Sequence, residues 1–216
     1  MINDYYRFLK HSPVFFIFSI SGVFFSAPGQ TFLISLFKSE ICQSFMITNT
    51  MFTFFYSLAT ILAALLLYYF GKLIDTLPIK KILIINTLFF SLSLILLSIS
   101  KTAALLFIAL FFMRLFGQGA LPITASTHTI KNFFKNRGSA LSLTQLGYSL
   151  SEFVFPTLSI FLLSAFGLNV TFLIFSLIII FLYFPVSLLS ITYFNQKEIP
   201  PIEKKIIESK KLDFVL

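Results

Sequence analysis

The sequence predicts an all-α polytopic membrane protein of six transmembrane helices, and three observations lead there. First, 57 % of its 216 residues are hydrophobic and only 11 % are charged, whereas soluble domains carry roughly 25 % charged residues. Second, mean hydropathy is +0.95. Third, six apolar runs, at roughly 13–37, 46–70, 82–100, 102–125, 138–164 and 169–194, each reach the ~20 residues that cross a ~30 Å hydrocarbon core. Lipid-facing helices need no polar face, so such a composition suits a bilayer and not a water-soluble globule. A single cysteine, Cys42, and two histidines, His11 and His128, leave no material for a disulfide scaffold or a Cys/His metal centre. No metal and no cofactor is expected.

The first run follows a short tail with Arg7 and Lys10 but is too long for a signal-peptide core, so it is expected to stay as a span. The domain plan is a cytoplasmic tail over 1–12, a six-helix bundle over 13–194 and a cytoplasmic tail over 195–216. Charge sets the orientation. Thirteen of the 16 basic residues fall on one side of the spans, two (Lys38 and Lys101) on the other, and Arg114 inside a span. By the positive-inside rule both termini are cytoplasmic. The net charge of +8 is therefore a topology signal, and nucleic acid is not an expected partner. With no Trp, an interfacial aromatic belt falls to Tyr5, Tyr6, Tyr68, Tyr69 and Tyr193.

Between the second and third runs lies Gly71-Lys72-Leu73-Ile74-Asp75-Thr76-Leu77-Pro78-Ile79-Lys80-Lys81. It reads as a tight hairpin: Gly71 is expected to end one helix and Pro78 to suit the first turn of the next. In the fourth run, Arg114 costs about 2.5–3.5 kcal/mol at a bilayer centre, so it is expected to face the protein interior. Glu152 is the other ionisable side chain deep inside a span, apart from tyrosines. At a 1.5 Å rise the two lie roughly 17 and 21 Å from the cytoplasmic ends of their runs. They are expected to face one interior and to pair directly or through water. The break Ala27-Pro28-Gly29-Gln30 puts a polar amide in the first run, where freed backbone groups need partners. Gln118, Gln145 and Tyr148 complete a candidate cavity set, with helix gluing as the simpler reading of each.

Several of these stretches carry a resemblance. The loop 71–81 resembles the signature G-x-L-x-D-R-x-G-R-[RK] of the major facilitator superfamily, matched at Gly71, Leu73 and Asp75 and, by type only, in the closing basic pair Lys80 and Lys81, with Thr76 where the family has Arg and Pro78 where it has Gly. The stretch from Arg114 through Gly117, Gln118 and Gly119, Asn136-Arg137-Gly138, and Gln145, Gly147, Ser151, Glu152 and Pro156 is similar to spans four and five of bacterial organic-anion and monocarboxylate-type members. This resemblance implies six helices arranged as an inverted 3+3 repeat, one half of a twelve-helix fold, in a bacterial inner membrane. Gln30 and Gln118 then stand at similar positions of spans one and four. Helix breaks and close packing are expected at Pro28, Gly29, Gly117, Gly119, Gly147, Ser151 and Pro156. The antiporter pattern of span five is not met.

The resemblance implies a non-enzymatic secondary transporter for a small anionic organic solute. Arg114 meets the anion and Glu152 carries a proton or tunes Arg114. The partners expected are the lipid bilayer, a small solute with H+, and a second six-helix half or a second copy. The competing reading is a truncated, non-transporting remnant or an assembly scaffold. A rhomboid-type protease is excluded by the missing G-x-S-G and the absence of a membrane-embedded His, and a mitochondrial-type carrier by the missing threefold P-x-[DE]-x-x-[KR].

Overall fold

The computed structural model describes residues 13–133 and 137–197, and among these every regular element is a helix. The expected tails, with Tyr5, Tyr6, Arg7, Lys10 and the basic residues beyond 197, lie outside the described residues, as do Lys135 and Asn136. Helix α1 (Pro13–Phe24) leads into a 3-10 turn, Ala27–Gly29, and the short helices α2 (Thr31–Leu36) and α3 (Lys38–Ser44). Helix α4 spans Asn49–Thr76 and α5 spans Ile79–Ile99. Then α6 (Ala103–Phe112) passes through a π segment, Met113–Ala120, into α7 (Leu121–Asn132). Helix α8 (Arg137–Ile178) is followed by a second π segment, Ile179–Tyr183, and α9 (Phe184–Lys197).

Among the described residues, five stretches are long and apolar enough to cross a bilayer: Pro13–Leu36, Asn49–Thr76, Ile79–Ile99, Ala103–Asn132 and Arg137–Tyr193. The last of these, 57 residues long, holds the expected fifth and sixth runs as two helical arms broken at Gly167. It is not straight. Gly167 has φ +75° and ψ 178°, a backbone region open essentially to glycine alone. The chain turns back there: the rings of Phe155 and Phe175 are 5.8 Å apart, where a straight helix would hold them about 30 Å apart.

Helix ends also differ from the apolar runs. Helix α4 continues through Gly71 to Thr76, so Gly71 does not end it. The hairpin that follows is confined to Leu77 and Pro78, both extended, with Pro78 preceding the first turn of α5. Likewise α7 runs to Asn132, through residues read as loop, and carries His128 inside its helix. The cause is the same in each case. Hydropathy falls where polar and charged side chains begin, but helical backbone hydrogen bonds continue past that point.

The core is aromatic and interhelical. Phe15, Phe18, Phe37, Phe90, Phe172 and Phe175 are among its fully buried side chains. Small polar residues tie the helices inside it. Thr129 of α7 donates to Ser19 of α1 (2.9 Å) and stands 3.1 Å from Thr144 of α8. Asn86 of α5 donates to Thr124 of α7 (3.1 Å), and Ser98 of α5 to the Asn169 carbonyl (2.7 Å). Such bonds act as glue where water is absent. By contrast α4 and the Arg137–Gly167 arm of α8 present large apolar side chains outward, among them Phe54, Ile61, Leu65, Phe153 and Phe161.

Candidate functional site: a caged arginine between two broken helices

The site begins with two local defects. Pro28 has no N–H to continue the α1 ladder, and the chain tightens into a 3-10 turn in which Gly29 N–H donates to Ser26 O and Gln30 N–H to Ala27 O, both at 2.9 Å. Gln30 is extended (φ −79°, ψ 150°) before the helix restarts at Thr31. That extension turns the Gly29 carbonyl out of the helical ladder. Opposite it, Met113–Ala120 widens to π geometry, and Leu121 N–H donates to Phe116 O, five residues back. Single π turns inside α-helices frequently accompany functional sites.

The two defects touch through glycine. A Cβ on Gly29 would lie 2.7 Å from Met113 O and 2.8 Å from the Gly117 Cα. On Gly117 it would lie 3.0 Å from the Gly29 Cα and 2.3 Å from the Phe90 ring. The main chains are therefore in contact, as no pair of side-chain-bearing residues would permit. Gly147 plays a similar part between α8 and α1, where a Cβ would meet Ile20 O at 2.6 Å.

Arg114 sits at this junction, 6 % exposed. Its Nε donates to Thr60 Oγ1 (2.9 Å), and its Nη1 to Thr31 Oγ1 (3.1 Å) and to the freed Gly29 carbonyl (3.4 Å). The guanidinium carbon lies 4.7 Å from the centre of the Tyr56 ring, and Tyr56 Oη donates to Thr31 at 2.8 Å. Hydroxyls, a carbonyl and a π face thus satisfy the cation without neutralising it. Among the described residues no carboxylate is recorded in an ion pair with Arg114; one ion pair elsewhere joins Lys131 to Asp75 at 2.8 Å. Beside the arginine opens a cavity of about 280 Å³ lined by Thr60, Ala63, Leu67, Gln118, Gly119 and Ile123 among others.

The other expected residues are placed as follows. Gln30 is buried and donates to Ser26 Oγ at 3.0 Å, with the Tyr148 hydroxyl against it. Gln145 donates to Ser126 Oγ at 3.3 Å, joining α8 to α7. Ser151 is buried and donates to Tyr148 O, one turn back, and Pro156 lies inside α8. Glu152 is exposed and makes no hydrogen bond or ion pair with Arg114 among the described residues. The direct pairing expected for these two is therefore not formed, and α8 leaves the carboxylate on an exposed face. Of the loop residues, Asp75 bonds Lys131 across to the end of α7, Leu73 is exposed, and Lys80 and Lys81 lie in the first turn of α5. Sequence reasoning missed Tyr56, Thr60 and Thr31. The spacing of Tyr56 and Thr60, one turn apart on α4, was the available signal.

Buried polar breaks meeting in the middle of an apolar helical bundle define an integral membrane protein of the transporter type. A family model described as Major Facilitator Superfamily matches residues 16–215, and the chain belongs to that superfamily of membrane transporters. Comparison with curated proteins and with solved structures gives no match.

Proposed function

We propose that the chain forms the anion-recognising six-helix bundle of a secondary transporter for a small organic anion. One observation carries this reading: a buried guanidinium held only by neutral groups, opening on a cavity that also presents Gln118. Such a cation lacks a counter-charge, and a carboxylate solute supplies one through charge-assisted hydrogen bonds. On this reading Gly167 joins spans five and six. The contact of Gly29 with Gly117, each beside a glutamine, supports spans one and four as counterparts in an inverted 3+3 repeat. The basic side is cytoplasmic and the membrane is the bacterial inner one. A second six-helix bundle, another chain or a second copy, supplies the surface against which this one rocks. Glu152, one turn from Tyr148 on the exposed face of α8, is the proton carrier of that interface.

The experiment is uptake into proteoliposomes containing the full chain, with labelled acetate, lactate and oxalate and an imposed pH gradient. Wild type accumulates at least one anion, and Arg114→Ala lowers its uptake by about 10- to 100-fold, the worth of one or two charge-assisted bonds. Arg114→Lys recovers little, since an ammonium does not reproduce the fork that spans Thr60, Thr31 and Gly29. Glu152→Gln abolishes accumulation driven by the gradient and leaves exchange across equal pH. Uptake indifferent to Arg114→Ala overturns the anion site. No uptake of any of the three by a protein monomeric in detergent favours the non-transporting, scaffold reading.

A further inference from the structure

A second cleft, mainly apolar with a few polar groups, lies at the end of the bundle opposite the Lys131–Asp75 pair. Its volume is about 610 Å³, and it is enclosed by α3 on one side and by α8 approaching the Gly167 turn on the other. Helix α3 is fixed there by Phe37, which is fully buried with its ring 4.9 Å from that of Phe172 and 6.3 Å from that of Phe175. Glu40, one turn on, shares the face of Phe37 and so is carried into the cleft. Its Oε2 is shielded from solvent and has no hydrogen-bond partner. The cation two residues away, Lys38, points elsewhere: its Nζ donates to Thr53 (3.4 Å) and lies 6.0 Å from the centre of the Phe52 ring.

A second orphan belongs to the same lining. Ser159 lines the cleft, is 1 % exposed, and its hydroxyl has no partner. Other serines of the helix behave differently, Ser151 and Ser164 each donating to the carbonyl three residues back (2.8 and 2.9 Å). A buried carboxylate oxygen and a buried hydroxyl, both unpaired, are costly unless a ligand satisfies them. Around them stand Gln43 and Ser164 as further polar groups, with Phe37 and Leu168 as apolar walls.

We propose that this cleft binds a primary ammonium group, donated to Glu40 and Ser159. The chemistry selects it. An anion is repelled by Glu40, and one carboxylate is too few for a divalent cation, which takes six or more oxygen ligands. A –NH3+ group brings three donors and one compensating charge. It is carried either by an aminophospholipid headgroup at the membrane edge or by a small amine in solution.

Native mass spectrometry of the purified full chain, titrated with phosphatidylethanolamine, phosphatidylcholine and free ethanolamine, tests this independently of transport. The two lipids differ in that the choline nitrogen has no N–H to donate. Wild type retains phosphatidylethanolamine about tenfold over phosphatidylcholine, the worth of one charge-assisted bond. Glu40→Gln removes the preference, and Ser159→Ala lowers it severalfold. Preference that excess ethanolamine does not displace assigns the site to lipid; displacement, with ethanolamine binding alone, assigns it to a soluble amine. Equal retention of both lipids by wild type with no ethanolamine binding overturns the proposal. So does an undiminished preference in a folded Glu40→Gln variant.

Discussion

At the scale of single residues, the glycines separate into those that hold main chains together and those that do not. Gly117→Ala would set a methyl group 2.3 Å from the Phe90 ring and 3.0 Å from the Gly29 backbone. Overpacking of this kind costs about 1–3 kcal/mol, so the variant should melt several degrees below wild type in detergent. Gly138→Ala, with nothing within 4 Å of the new atom, should melt with wild type. The arginine at the centre of this packing was legible in the sequence because its insertion cost demands burial. Its partners Tyr56, Thr60 and Thr31 were not, since the Tyr56 ring and the two threonine hydroxyls meet it only once three helices have chosen their rotations. Glu152 shows the same gap from the other side. Counting residues gives depth along a helix, but not the direction in which the side chain leaves it.

At the scale of elements, composition located the helices and local chemistry placed their interruptions. Pro28 and Gly29 announced the break in the first span. The turn between the last two runs was announced by the gap between them, and Gly167 falls in it. The π segment Met113–Ala120 was not, because it depends on backbone geometry that apolar side chains share with an ordinary helix. Gly167 is where the backbone is most demanding. Gly167→Ala at φ +75° and ψ 178° should cost about 1–3 kcal/mol of strain, read as a lowered melting temperature, although the added methyl meets no neighbour within 4 Å. The Asp75–Lys131 link between the ends of α4 and α7 predicts the contrary. Its partners are 64 % and 43 % exposed, and exposed pairs contribute about 0–1 kcal/mol. Asp75→Asn should therefore leave the melting temperature within about a degree or two of wild type, and any larger effect on uptake would belong to conformational exchange rather than to stability.

For the whole molecule, the distribution of charge makes a prediction that the helices alone do not. With Cys42→Ser as background, Lys101→Cys should react with a membrane-impermeant maleimide added to intact cells, while Lys81→Cys should react only after the cells are opened. The reverse pattern would invert the orientation read from the basic loops. The bundle also leaves α4 and one arm of α8 with outward apolar side chains, surfaces that suit lipid and a second bundle equally. Which faces meet which was not legible in the sequence, because both neighbours are apolar and select the same residues.

The neutral cage around Arg114 has an electrical consequence. Hydroxyls and a carbonyl orient dipoles toward the guanidinium but cancel none of its charge, so a fixed positive charge stands within the membrane field. A full crossing of that field is worth about 2.3 kcal/mol per charge for each 100 mV. Any rearrangement that carries Arg114 along the field is thus biased by the membrane potential, and on the proposed function an anion seated beside it removes the bias. The empty and loaded forms of the same bundle should differ in their voltage sensitivity before they differ in shape.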